Sequence, residues 1–177
     1  MAMMTSSTAL RLLLLRHAKS ARPEGVADKD RPLAERGHKD ALFMGALMAR
    51  EGLIPDLALV SPARRTRETW ALVQGVFSAD IRERYVASLY DSTPDRLLNA
   101  IREAGPEVKT IVLVGHNPEM EETAALLCNT GEADAMARLS GKFPTAGLAV
   151  IDFTVTRWAD ISPKNGYLER FVTPKSA

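Results

Sequence analysis

Leu12-Leu13-Leu14-Leu15 runs directly into Arg16-His17 and then into the polar stretch Ala18-Lys19-Ser20. An apolar run of this length, with no polar position, reads as a strand buried on both faces, as in a parallel sheet covered by helices. In an open α/β sheet, ligands bind beyond the carboxyl ends of the strands. A histidine at such an end is held rigidly, and an arginine beside it can neutralise an anion. The pattern returns at Thr110-Ile111-Val112-Leu113-Val114-Gly115-His116-Asn117-Pro118. The chain has three histidines, and two of them stand at strand ends of this kind.

Around these two strands the pattern alternates. Strands are expected over residues 10–15, 57–61, 81–86, 110–114, 147–153, 155–161 and 167–172, and helices over 34–51, 62–77, 94–104 and 118–128. Such alternation predicts a three-layer α/β/α sandwich with a mostly parallel central sheet. The last three strands follow one another closely and read as an antiparallel C-terminal edge. Residues 9–173 are expected to form one domain, with residues 1–8 a disordered or tag-like N-terminus.

Three helices open alike. Ser61-Pro62, Thr93-Pro94 and Asn117-Pro118 each set a capping residue before a proline suited to the first helical position. Two of them directly follow strands, so two helix N-termini are expected at the carboxyl edge, where their free N–H groups favour an anion. In Ser61-Pro62-Ala63-Arg64-Arg65-Thr66-Arg67 a basic cluster occupies the first helical turn. The macrodipole disfavours cations there by about a few tenths of a kcal/mol, and a bound phosphate would supply the missing compensation. One of the three arginines is expected to face inward, and spacing alone does not choose it.

Composition narrows the function classes. With 46% hydrophobic and 25% charged residues the chain resembles an ordinary globular protein, and 177 residues suffice for a sizeable core. A formal net charge of +1 gives no global field toward nucleic acid or an anionic membrane, so an anion site must be local. The single cysteine, Cys128, excludes an intramolecular disulfide and is expected in the core of an apolar helix. No apolar run approaches the roughly 18 residues of a membrane span, and the N-terminus lacks the pattern of a secretory signal. A cytoplasmic protein without nucleic-acid or membrane partners is the expectation. His38, between Gly37 and Lys39-Asp40, is expected to face solvent.

The order Arg16-His17-Ala18-Lys19-Ser20, then Ser61-Pro62-x-x-Arg65, then Gly115-His116-Asn117-Pro118 resembles the histidine phosphatase (phosphoglycerate mutase-like) superfamily, and within it the SixA-type phosphohistidine phosphatases. Arg31-Pro32-Leu33-Ala34-Glu35-Arg36-Gly37, Leu89-Tyr90-Asp91 and Phe143-Pro144-Thr145-Ala146-Gly147 extend the similarity over nearly the whole chain. The resemblance implies that His17 is the nucleophile taking up the phosphoryl group and that Arg16 and Arg65 clamp the phosphate. It further implies that His116 donates a hydrogen bond to the phosphate and that Ser20 lies near it. No metal or other cofactor is implied. Two positions depart from the family. Ala18 replaces a usual glycine, and the acidic proton donor of the phosphomonoesterases, within Leu-x-Glu, has Asp91 as its nearest match.

The chemistry of these residue types agrees. Imidazole has an unperturbed pKa of about 6.5 and offers an uncharged nucleophile at neutral pH. Arginine forks match phosphoryl oxygens, and phosphoryl transfer needs mainly positioning and charge stabilisation. An alkoxide leaving group needs a positioned acid, whereas a departing imidazole is easily protonated from water. Only one short helix fits between residues 86 and 110, which leaves little material for a lid. The expected activity is therefore metal-independent hydrolysis of protein phosphohistidine through a covalent intermediate on His17. The partner would be a phosphohistidine-bearing protein such as a phosphotransfer domain or phosphocarrier. The alternatives are a small-molecule phosphomonoesterase, with Asp91 as proton donor, and a non-catalytic phosphate-binding adaptor.

Overall fold

The structure is a computed structural model and describes residues 8–176. The expectation for residues 1–8 therefore lies, apart from Thr8, outside the described residues. Seven strands form one sheet: β1 (Leu10–Arg16), β2 (Leu57–Val60), β3 (Arg82–Tyr85), β4 (Thr110–Gly115), β5 (Cys128–Gly131), β6 (Leu148–Phe153) and β7 (Gly166–Val172). Their order across the sheet is β3-β2-β4-β1-β6-β7-β5. The pairs β3–β2, β2–β4 and β4–β1 are parallel, and β6 runs antiparallel to both of its neighbours.

Five helices cover the two faces: α1 (Glu35–Arg50), α2 (Arg64–Gln74), α3 (Pro94–Arg102), α4 (Glu119–Leu127) and α5 (Ala133–Gly141). The alternate leucines of β1 decide the layering. Leu12 and Leu14 pack in one core cluster with Leu98 of α3, Met120 of α4 and Leu139 of α5. Leu13 and Leu15 pack in the other with Met44 of α1 and Trp70 of α2. All four leucines are wholly buried, which is why the strand shows no polar alternation. By contrast β3, at the sheet edge, reads Arg-Glu-Arg-Tyr and is exposed throughout, the charged pattern that discourages edge-to-edge pairing.

Three expectations fail in detail. Residues 155–161 form no strand. Trp158–Asp160 is a single 3₁₀ turn, held because the buried indole Nε1 of Trp158 donates to the Val108 carbonyl at 2.7 Å. The sheet edge belongs instead to β5, which pairs in parallel with β7. The apolar helix ends at Leu127, so Cys128 opens β5 rather than lying in a helix, although it is buried as expected. Its sequence Cys-Asn-Thr-Gly carries no strand periodicity, and α5 after it went unread for want of a strong apolar stripe.

The caps divide similarly. Thr93 caps α3 as expected, its side chain accepting the Arg96 N–H, with Pro94 in the first turn. Asn117 lies one residue before the cap position, which Pro118 takes, since α4 starts at Glu119; its Oδ1 nonetheless accepts the Glu121 N–H. Ser61 does not cap α2. That helix starts at Arg64 after extended Ala63, and the Ser61 hydroxyl is engaged elsewhere.

Candidate active site

Strand register assembles the site. β1 and β4 pair with Arg16 opposite Gly115, so the next residues, His17 and His116, emerge side by side. The His17 N–H donates to the Gly115 carbonyl at 3.1 Å, and the two ring centroids stand 5.4 Å apart. One strand further on, Val60 of β2 pairs with Val114, which brings Ser61 beside His116. Three neighbouring strand ends thus deliver Ser61, His116 and His17 in a row.

The pocket at this edge has a volume of about 220 Å³ and is lined by Arg16, His17, Lys19, Ser20, Arg22, Arg31, Arg65, His116, Asn117 and Thr145. Of the α2 arginines, Arg65 is the buried one, 7% exposed. Arg64 and Arg67 are exposed; Arg64 pairs with Glu68 one turn on, and Arg67 donates to the Pro62 carbonyl. His38 is exposed on α1. The lining carries four arginines and a lysine, two imidazoles, and otherwise hydroxyl and amide groups, a surface suited to an anion.

Each ring is held by one hydrogen bond. His17 Nδ1 donates to the Ala18 carbonyl at 2.7 Å, which leaves Nε2 as the unprotonated nitrogen of the neutral ring. Burial, opposed by that hydrogen bond and reinforced by His116, Arg16 and Arg65, lowers the His17 pKa to about 3. Burial, together with Arg65 and Arg16, lowers that of His116 to about 4. Both imidazoles are neutral at neutral pH. Ser61 Oγ lies 2.7 Å from His116 Nε2 and is itself approached by the Ala63 N–H at 3.4 Å. Ser61 Oγ and His116 Nε2 share a single hydrogen, and a Ser61 hydroxyl that donates to Nε2 goes with a His116 proton on Nδ1. Among the described residues His116 Nδ1 has no partner, and neither has Arg16 Nε. Unsatisfied buried donors are uncommon and mark a place for a ligand or a strained state.

The loop between His17 and α1 completes the wall. Arg31 donates to Ser20 Oγ at 2.6 Å and to Asp28 at 3.0 Å. Arg65 donates both to the Asp28 carbonyl and to its carboxylate, and the Tyr90 hydroxyl donates to the same carboxylate at 2.6 Å. Held by Tyr90, Arg31 and Arg65, Asp28 stays ionised well below the usual carboxylate range. The approach of α1 to this loop requires Gly37, since a Cβ there would meet the Lys19 carbonyl oxygen at 2.1 Å. The opposite wall contains a strained residue. Ala146 adopts φ 62°, and its N–H donates to the carbonyls of both Arg16 and His17. Left-handed backbone at a non-glycine residue costs about 1–3 kcal/mol and persists where surroundings impose it.

The structure brings together His17, His116, Arg16, Arg65 and Ser20. It does not bring in Asp91, which is exposed, has φ 52° and forms the turn before the Thr93 cap. Asp28, Tyr90, Arg31 and Ser61 take part without having been recognised as site residues. Arg31, Tyr90 and Ser61 stand within the motifs that carry the family resemblance, but nothing local in the sequence ties Asp28 to Arg65. Glu119, 5% exposed, has its carboxyl pushed up by burial and is not among the pocket's lining residues. Among the described residues no group of three or more His, Cys, Asp or Glu side chains is placed to hold a metal ion.

Comparison with known proteins gives a consistent picture. The family model described as Histidine phosphatase superfamily (branch 1) matches residues 12–86. The uncharacterized protein Rv1276c of Mycobacterium tuberculosis is 37% identical over 163 residues, covering 91% of this chain and all of that one. A crystal structure of a candidate phosphohistidine phosphatase SixA from Agrobacterium tumefaciens is 36% identical, covers 95% of this chain and all of that one, and superposes with a TM-score of 0.80. The protein histidine phosphatase SixA complexed with tungstate, 19% identical, covers 94% of this chain and 98% of its own, with a TM-score of 0.76, and shares the fold.

Proposed function

The chain belongs to the histidine phosphatase superfamily, and on that footing we propose that it hydrolyses protein phosphohistidine through a phosphoryl intermediate on His17. The observation that carries this reading is a neutral His17 with Nε2 free, set beside His116 in a pocket that half-buried Arg16 and buried Arg65 also line. In the first step His17 Nε2 attacks phosphorus and the P–N bond of the substrate breaks. The departing imidazole takes its proton from water. In the second step water attacks phosphorus, the bond to His17 breaks, and inorganic phosphate leaves.

Arg16 and Arg65 hold the phosphoryl oxygens, and His116 Nδ1–H donates to one of them. These groups stabilise the charge spread over the oxygens in the transition state, where positioned donors contribute most. Ser61 fixes the proton of His116, and Ser20, tied to Arg31, borders the phosphate. The acids at hand support this substrate class. Asp28, the carboxylate bound to Arg65, is locked in its ionised form and is a poor proton donor. Asp91 stands in an exposed turn. A phosphoramidate, whose leaving group needs no enzyme acid, suits such a site better than a phosphomonoester does. The phosphoryl donor would be a phosphohistidine-bearing phosphotransfer domain or phosphocarrier.

Acid–base lability after quenching tests the intermediate. With a labelled phosphohistidine protein, the quenched enzyme is expected to carry label that survives base and is lost in acid, and His17→Ala is expected to carry none. Label retained in His17→Ala overturns the assignment. A panel of phosphohistidine, phosphoserine, phosphotyrosine and sugar phosphate substrates separates the substrate classes. Efficient turnover of the esters alone would favour a phosphomonoesterase, and no turnover of any member would favour a phosphate-binding adaptor. Activity is expected to persist in chelator, since arginines supply the positive charge.

A further inference from the structure

Beside the phosphate pocket lies a larger groove of about 740 Å³ that shares Arg16, Lys19, Asn117 and Thr145 with it. Its outer walls come from two stretches that contribute little else to the site. Lys142, Phe143 and Pro144 precede β6, and Thr173, Pro174 and Lys175 follow β7. The floor is firmly built. Phe143 is 1% exposed and packs edge-on against Phe171, with ring centroids 5.0 Å apart.

The charges of this groove are unbalanced. Two carboxylates line it, and both are already engaged. Asp40 pairs with Arg36 at 3.6 Å, and Glu121 accepts the Phe143 N–H at 3.1 Å and the Asn117 amide at 3.3 Å. Lys19, Lys142 and Lys175 line the same groove and have no carboxylate partner among the described residues. Lys142 and Lys175 are exposed and line the groove outside the phosphate pocket. Uncompensated cations at a rim favour an anionic partner, speed its encounter and give the interaction a salt dependence.

Geometry identifies what would pass along it. When a phosphorylated imidazole reaches His17, its own backbone stands clear of the narrow pocket by the length of the side chain. The polypeptide must then cross the surface beside the pocket mouth, and the groove opens from that mouth. Pro144 and Pro174 offer apolar contact to the chain, while the lysines face its acidic side chains.

We propose that this groove holds an acidic, extended segment of the phosphorylated protein, adjoining the residue whose phosphoryl group enters the pocket. The proposal rests on the phosphohistidine reading and names the chemistry of its partner.

The test uses the full chain and three probes: phosphoimidazole, a phosphohistidine peptide flanked by Asp and Glu, and the same peptide flanked by Lys. Wild type is expected to favour the acidic peptide by about tenfold in kcat/KM at low salt, with the advantage shrinking as salt is raised. The double variant Lys142→Glu, Lys175→Glu is expected to lose that preference, through KM rather than kcat. Its rate on phosphoimidazole is expected to stay within about twofold of wild type, as for exposed charges away from the reacting atoms, which also reports an intact fold. Equal kcat/KM for the two peptides in wild type, with phosphoimidazole hydrolysed, overturns the groove and leaves the phosphohistidine reading standing. An unchanged preference in the double variant does the same. Failure of wild type on all three probes overturns that reading and this proposal together. Preference for a small phosphate ester bearing a second anionic group, abolished in the double variant, overturns a polypeptide as the occupant.

Discussion

Arg11 and Arg16 stand near opposite ends of β1, and their surroundings differ in kind. Arg11 faces its register partner on β6, Asp152, and makes a two-pronged ion pair with it at 2.6 and 2.9 Å. Hydrogen bonding to Asp152 raises its pKa. Arg16 donates once, to the Phe143 carbonyl at 2.9 Å, and its buried Nε has no partner. Burial lowers its pKa. The same contrast runs along the sheet. At the amino edge Asp56 accepts the backbone N–H groups of both Lys109 and Thr110, while at the carboxyl edge His116 Nδ1 stands unpaired. One end of the sheet satisfies its charges within the fold. The other leaves Arg16 Nε and His116 Nδ1 without partners among the described residues, an arrangement that costs stability unless a ligand completes it.

The largest expected effect breaks the compensated end. Arg11→Ala leaves the carboxylate of Asp152, wholly buried, without its partner, and stability is expected to fall by about 3 kcal/mol or more. Urea unfolding measures this, and turnover per folded molecule is expected to stay near wild type. A loss within the range of an ordinary surface change would show that the Arg11–Asp152 pair does not hold that edge.

At the other end the effect should fall on rate instead. Arg16→Ala and Arg65→Ala are each expected to lower kcat/KM by about 10²–10³-fold, as for removal of one transition-state donor, with thermal unfolding unchanged or shifted upward for Arg16→Ala and lowered for Arg65→Ala, which also loses its bonds to Asp28. Arg64→Ala is expected to change activity little, because its side chain is half exposed and pairs only with Glu68. A crippled Arg64→Ala beside a near-normal Arg65→Ala would reverse the assignment of the inward arginine.

A smaller change probes the proton on His116. Ser61→Ala removes the hydroxyl that, in the proposed mechanism, sets Nδ1 as the donor, and loss of one such hydrogen bond is worth about 1 kcal/mol, a fall of roughly fivefold to tenfold in kcat. Ser61→Thr, which restores a hydroxyl, is expected to recover part of the rate. Equal loss in both variants would point to a packing role alone.

The gentlest test is pH. His17 at about 3 and His116 at about 4 lie below the ordinary imidazole value, so unfolded chains bind protons that the folded protein refuses. Stability is therefore highest above about pH 6.5 and declines as pH falls from there through about 4 and 3. Acid unfolding of His17→Asn is expected to show a shallower decline over that window than wild type. The acid limb of kcat/KM is likewise expected well below pH 6.5, since His17 remains an unprotonated nucleophile there. A limb near 6.5 would show His17 to be solvated rather than desolvated.

Much of this was readable from the chain. Leu12 to Leu15 and Thr110 to Val114 announced buried strands because both parities are apolar, and the residues ending them, His17 and His116, were legible as strand-end chemistry. The arginine cluster at a helix start, where the dipole disfavours cations, marked an anion site. The Thr93-Pro94 cap followed from local hydrogen bonding. These features depend on neighbours a few residues apart, and short-range periodicity records them.

Other features depended on which strands lie side by side. Ser61 read as a helix cap because its own segment favours that role, yet the pairing of β2 with β4 gives its hydroxyl His116 instead. Asp28 showed no pattern, and only the folded loop brings it to Arg65 and Tyr90. Residues 155–161 read as a strand from their own composition, but the buried indole of Trp158 is tied to the distant Val108 carbonyl in a 3₁₀ turn instead. The sequence by itself determined an alternating α/β chain with two strand-end histidines and a misplaced arginine cluster, because burial and dipole effects act locally. The tertiary structure decided what spacing left open: which arginine turns inward, that Ser61 meets His116 and where the lysine-rimmed groove runs. Each of those depends on strand register and on contacts between distant segments.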